Sequence, residues 1–120
     1  MQLQPQWNSP EVVEWAEEHY PETMKEYRKI MFEQYELFCK KHSNYGPGNI
    51  SVGTTLSSPE EVKLSLTGLF FRMNDKIQRM KQMIVNNISD NVGESLEDTY
   101  QDLSNYGIIA QLVSRGVWGR

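Results

Sequence analysis

Arg72, Lys76 and Arg79 stand four and three residues apart. A turn of roughly 100° per residue puts all three on one flank of a helix, together with Ser65 and Gly68. Small residues beside a row of cations leave room for an anion such as a phosphate, which guanidinium groups grip with two parallel N–H donors. The competing explanation is that these side chains lay their stems along a core and carry their charges to water. Gly68 weighs toward a ligand or a close packing contact, because glycine inside a helix costs about 1 kcal/mol relative to alanine. Asp98 and Asp102 form the acidic counterpart, gathered with Ser95 on one flank of a later helix, with Asn105 beyond them. Carboxylates at i and i+4 repel each other unless a cation lies close. That cation is either a member of the 72–76–79 row, giving an interhelical ion-pair network, or Mg²⁺, which takes carboxylate oxygens and keeps several waters.

Two further features belong to the same chemistry. Gln34 and Lys41 interrupt the apolar face of another helix, and a lysine there either lines a pocket mouth or caps a helix C-terminus, where a cation is favoured. Gly48 and Gly53 have the spacing of a phosphate loop. Thr54-Thr55 stands where Lys-Ser/Thr is required, so this is no P-loop, although its amides can still bind an anion. With two histidines and one cysteine, no Ser-His-acid, Cys-His or zinc set can be assembled. Cys39 reads as a packing residue and His42 as a helix-end cap.

The elements that must position these residues are helices. Ser9-Pro10-Glu11 starts a short one, ending near His19 before Pro21. A second runs from about Glu22 to about His42, with Tyr27, Ile30, Met31, Leu37 and Phe38 at amphipathic spacing. Asn44-Tyr45-Gly46-Pro47-Gly48-Asn49 stops it. The stretch 44–57 is a long Gly-rich loop in which Ile50-Ser51-Val52 is expected as a short extended piece. Ser58, Pro59 and Glu61 make a capping box with a proline start, and a third helix follows to about Val85. Its Leu66, Phe70, Met73, Ile77, Met80 and Ile84 recur at 4-3-4-3-4, the spacing of a bundle seam. A turn over 86–93 leads to a fourth helix, Glu94 to Arg115, whose expected seam is Leu96, Tyr100, Leu103, Gly107 and Ala110, with Gly107 marking a close helix approach. The fold class expected is all-α: a compact bundle of about four helices, with an N-terminal arm over 1–9 that Trp7 anchors, one domain over 10–116 and a tail over 117–120 with an exposed Trp118.

Composition narrows the function. The 120 residues amount to one domain's worth. Twelve Lys and Arg against sixteen Asp and Glu give a net charge of -4, which argues against coating duplex DNA but leaves room for a local basic stripe. A single cysteine fits a reducing compartment. No apolar run approaches the roughly 20 residues that span a bilayer, and MQLQPQWNSP lacks the basic and apolar regions of a signal peptide. A cytoplasmic protein without a membrane partner is expected.

Lys41-x-x-Asn44-Tyr45-Gly46, then Gly68-Leu69-x-x-Arg72-x-x-x-Lys76-x-x-Arg79, then Glu94-Ser95-x-x-Asp98-Thr99-x-x-Asp102-Leu103-x-Asn105-Tyr106 resembles the nucleotide modification associated domain 1 family, small helical domains of phages and bacteria. The likeness spans about residues 36–113, with Asn44 standing where the family usually has Asp. It implies a phage or prophage origin, a host-cytoplasmic location and a link to nucleotide or modified-base metabolism. More distantly, the chain looks similar to the MazG-type all-α nucleotide pyrophosphohydrolases, whose metal carboxylates form an ExxE pair and a later ExxD. Glu33-x-x-Glu36 fits the first in letters, and Asp98-x-x-x-Asp102 replaces the second. The resemblance thus implies a nucleotide-binding domain in which Lys41, Asn44, Gly68, Arg72, Lys76 and Arg79 meet phosphates and Tyr45 stacks on a base. Asp98 and Asp102 would hold Mg²⁺ or the cations themselves. Three alternatives stand beside it: sequestration of a host nucleotide immune signal, Mg²⁺-dependent pyrophosphate hydrolysis, and a protein-interaction module. The long seams of the third and fourth helices also fit a homo-oligomer.

Overall fold

A computed structural model describes residues 6–120. Helix α1 spans Pro10–His19, α2 Pro21–Tyr45, α3 Gly48–Ser51, α4 Pro59–Met80 and α5 Leu96–Ser114, and a π-helical turn, Lys81–Val85, prolongs α4. No strand occurs among the described residues, and the all-α expectation is borne out. The described residues group into two compact units, divided within α2 between Leu37 and Phe38.

In the first unit, α1 and the opening turns of α2 bury no residue. Arg28 pairs with Glu17, Trp15 stacks on His19, and Tyr27 and Met31 remain exposed. Residues 1–5 of the expected arm lie outside the described residues, and Trp7, its expected anchor, is half exposed.

The second unit holds the core: Ile50, Leu69, Ile109, Val113 and Trp118, with Phe38, Val62, Leu66 and Tyr106 packed around them. Trp118 corrects the expectation of an exposed tail, being only 7% exposed. The chain doubles back after α5 through Gly116 (φ +74). There Val117 N–H donates to the Leu112 carbonyl, and Trp118 Nε1 donates to the Pro47 carbonyl at 3.1 Å. Gly119 must be glycine: it has φ +73, and a Cβ there would lie 2.9 Å from Pro47 Cβ.

The short extended piece expected at 50–52 is helical instead. Gly48–Ser51 forms α3, and Val52 closes it in the left-handed region at φ 54. Burying Ile50 drives this, since the one-turn helix points Ile50 into the core and offers its carbonyl to Ser65 Oγ at 2.7 Å. Ser65 is 1% exposed, so that bond satisfies a hydroxyl that would otherwise be costly to bury. At the start of α4, Ser58 Oγ accepts from Glu61 N–H as expected. The return bond of the box is shifted by one residue, Glu61 accepting from Ser57 N–H at 3.1 Å.

Helices α4 and α5 pack along each other, through faces adjacent to the expected seams. On α4, Ser65 and Leu69 are buried and Arg72, Lys76 and Arg79 half-buried. On α5 the inward set is Thr99, Asp102, Tyr106, Ile109 and Val113. The expected seams are left half outside: Phe70 is 61% exposed, Ile77 49%, Ile84 47% and Tyr100 44%. Counting apolar residues finds the greasiest stripe of a helix, but oppositely charged side chains on two neighbouring helices also attract, and here they occupy the contact.

Neither helical glycine marks a close approach. A Cβ built on Gly68 or Gly107 meets nothing within 4 Å. Both positions are helical, so Gly68→Ala and Gly107→Ala should each stabilise the fold by about 0.5–1 kcal/mol. A rise in Tm for each variant checks this; a fall would mean that the added methyl group meets a neighbour.

Candidate functional site

A cleft of about 430 Å³ opens in the second unit between the last turns of α2, α3, the middle of α4, α5 and Trp118. This lies within the ordinary range of small-molecule pockets. Its geometry begins where α2 ends. Gly46 takes φ +66 and sends its N–H back to the His42 carbonyl at 2.8 Å, the left-handed stop that glycine permits. That turn leaves Lys41, His42 and Tyr45 facing the cleft. One wall is aromatic. His42 stacks on Phe38, with centroids 5.4 Å apart at 16°, and meets Trp118 edge-on at 5.0 Å, while Tyr106 of α5 extends the wall. Tyr45 is 69% exposed and stands at the rim.

The polar side is Lys41, Arg72, Asp102, Asn49 and Asn105. Arg72 donates one N–H from its NH2 nitrogen to the Asn49 carbonyl at 3.2 Å, which anchors the guanidinium at the mouth of the cleft. Asp102 lies between two lysines, with Oδ2 at 2.9 Å from Lys76 and Oδ1 at 3.6 Å from Lys41. The first distance is a charge-assisted hydrogen bond; the second exceeds hydrogen-bond range.

The remaining cations of the row are held by acids. Lys76 Nζ contacts Glu94 Oε1 at 2.6 Å besides Asp102. Burial pulls the Lys76 ammonium toward neutrality, but its bonds to Glu94 and Asp102 outweigh this and raise its pKa above 10.5. Arg79 donates to Asp90 Oδ1 at 3.0 Å and to the Glu94 carbonyl. Its buried Nε has no hydrogen-bond partner and lies 3.6 Å from Glu94 Oε2, in ion-pair range only. Asp90 in turn accepts from the Val92 N–H and then from Arg79, and both hold its carboxyl below the usual range.

The residues singled out by type and spacing therefore divide into three sets. Lys41, Tyr45 and Arg72 come together in the cleft with Asp102. Lys76 pairs with Asp102 of α5 and with Glu94, and Arg79 with Asp90 and Glu94 of the segment before α5, so both belong to an ion-pair network. Asn44 is exposed, and neither it nor Gly68 lines the cleft. Asp98 completes the α5 capping box: its N–H donates to Ser95 Oγ at 3.0 Å and its Oδ2 accepts from Ser95 N–H at 3.4 Å. Among the described residues no three His, Cys, Asp or Glu side chains cluster with metal-binding geometry. Glu33 and Glu36 are exposed on α2.

Some residues of the site belong to none of the quoted motifs: His42 and Trp118 build the wall and Asp90 holds a cation, while Tyr106 and Glu94 stood in the third motif without a role assigned to them. Asp90 and Glu94 lie eleven and fifteen residues beyond Arg79, across the turn that follows α4. Their signal was two acids in the segment that follows a helix whose last turns carry cations.

Fold and cleft together define an all-α domain with a cation-bearing, aromatic-walled site. Residues 65–113 match the model of the nucleotide modification associated domain 1 family, and the family resemblance is thereby shown over this α4–α5 segment. The matched stretch contains Arg72, Lys76, Arg79, Asp98 and Asp102, whereas Lys41, Asn44 and Tyr45 precede it. No curated protein and no solved structure matches the chain. No helix among the described residues is long and apolar enough to cross a membrane.

Proposed function

We propose that this domain binds a nucleotide or nucleotide-derived small molecule in the cleft, with Lys41 and Arg72 toward the phosphate and the aromatic wall toward the base. The observation that carries this reading is the pairing of two cations with a wall of aromatic rings in one pocket, because each half alone is common and a nucleotide needs both. The family match over α4 and α5 supports a place in nucleotide metabolism. Asp98 acts as a helix cap and Asp102 as the partner of two lysines, so the reading favours holding the ligand over cleaving it. Sequestration of a nucleotide signal by a phage-encoded protein is one form such holding would take. Thermal-shift and calorimetric titration with nucleoside mono-, di- and triphosphates, cyclic dinucleotides and ADP-ribose derivatives tests the proposal. Saturable binding with intact recovery of the ligand is expected; release of pyrophosphate in the presence of Mg²⁺ would make it an enzyme, and silence across the panel would sink it.

A second reading concerns assembly and has its own observation. The exposed Phe70 and Ile77 of α4 and Ile84 of the π-helical turn that prolongs it recur at the seven-residue spacing of a helix seam, which fits a second copy of the chain. Sedimentation equilibrium at micromolar concentration should show a dimer or larger species, and Ile77→Glu should return it to monomer; a monomeric wild type rejects this reading.

A further inference from the structure

The cleft's charge complement carries an inference about ligand class, which rests on the nucleotide-binding reading above. Its lining contains one lysine and one arginine, Lys41 and Arg72, and one carboxylate, Asp102. The next two cations along the same face of α4 are committed elsewhere, Lys76 to Glu94 and Asp102 and Arg79 to Asp90 and Glu94. The positive field therefore ends after one turn of helix. A single phosphate group matches this complement. A triphosphate does not, because its further charges would lie against Asp102 or require Lys76 to leave a 2.6 Å bond.

The two contacts of Asp102 also differ in strength. Lys76 is 19% exposed and hydrogen-bonded, whereas Lys41 is 45% exposed and 3.6 Å away. An arriving phosphate can take Lys41 without stranding Asp102, which stays paired through Oδ2. Oδ1 then remains as an acceptor in the cleft, which Asn105 also lines. We propose that the cleft selects a nucleoside bearing one phosphate, with Lys41 and Arg72 clamping that phosphate and Asp102 both reading a donor N–H or O–H of the nucleoside and repelling longer phosphate chains.

The test is calorimetric titration of the full chain with the monophosphates and triphosphates of adenosine, guanosine, cytidine and uridine in EDTA-containing buffer, with Asp102→Asn in parallel. For whichever base binds best, the monophosphate should bind about tenfold or more tightly than the triphosphate, the size expected for one uncompensated charge contact in a half-exposed site. Asp102→Asn should narrow that ratio severalfold toward one. A triphosphate bound as tightly as its monophosphate by the wild type overturns the inference while leaving nucleotide binding in place, and it does so whether or not the variant folds. An unchanged ratio in folded Asp102→Asn overturns the role given to Asp102. Binding of no nucleotide removes both the inference and the reading beneath it.

Discussion

Trp118→Ala should lower the thermal midpoint by ten degrees or more, about what a loss of 3–5 kcal/mol does to a domain of this size. The side chain is 7% exposed and is one of five buried apolar residues among those described, so little other packing is at hand to absorb the cavity. It also ties the end of the chain to the turn after α2, through Pro47, and closes the aromatic wall against Phe38 and His42. Trp118→Phe separates these contributions. Phenylalanine restores most of the ring but lacks the N–H. The Pro47 carbonyl would still accept from Ile50 N–H at 3.2 Å and Ser51 N–H at 3.1 Å, so it is not left unpaired. Losing one neutral hydrogen bond of this kind costs about 1 kcal/mol, and the phenylalanine variant should therefore recover most of the stability. A midpoint for Trp118→Ala within two or three degrees of wild type would mean that the C-terminal segment is not part of the core.

What local chemistry dictates was legible in the sequence: the proline starts of α1 and α4, the Ser58 cap, the glycine stop after α2 and the all-α class. Each depends on residues within one turn of one another. The rotation of α4 against α5 was not legible, because it depends on two helices at once. Leu66, Phe70, Met73 and Ile77 form the most apolar stripe of α4, yet the buried or half-buried row beside it is Ser65, Leu69, Arg72 and Lys76, which meets α3 through Ser65 and Arg72 and α5 through Lys76. Glu94 and Asp102 attract that flank, and Ser65 is needed by the carbonyl of Ile50. The cationic row was correctly placed on one flank, and the same partner helix explains why its members do different things. Arg72 lies beside α3, where the cleft opens, whereas Lys76 and Arg79 lie beside the acids of the turn that precedes α5. Position along the helix, which spacing alone cannot weigh, separates one cation at the mouth of a cleft from two in a structural network.

That separation sets the second large effect. Arg72→Ala should weaken binding of the preferred nucleotide about tenfold to a hundredfold, the range for losing a charge-assisted hydrogen bond to phosphate, while shifting the midpoint by only a few degrees. The small stability cost follows from its surroundings: its side chain donates to the Asn49 carbonyl in a bond that is exposed to water. Arg79→Ala should behave in the opposite way. It removes the ion-pair partner of Asp90 and one of the two cations that hold Glu94, and so loosens the turn before α5; the midpoint falls, while affinity measured well below that midpoint stays close to wild type. Arg72→Lys supplies the finer comparison, since it keeps the charge but loses the planar pair of donors; it should recover only part of the lost affinity. If both alanine variants lose affinity in proportion to their loss of stability, Arg72 is one more member of the network and the phosphate lies elsewhere. If Arg72→Ala binds like wild type at unchanged stability, the cleft is not where the phosphate is held. Opposite responses of two arginines seven residues apart on one helix are what distinguish a ligand-facing cation from a structural one.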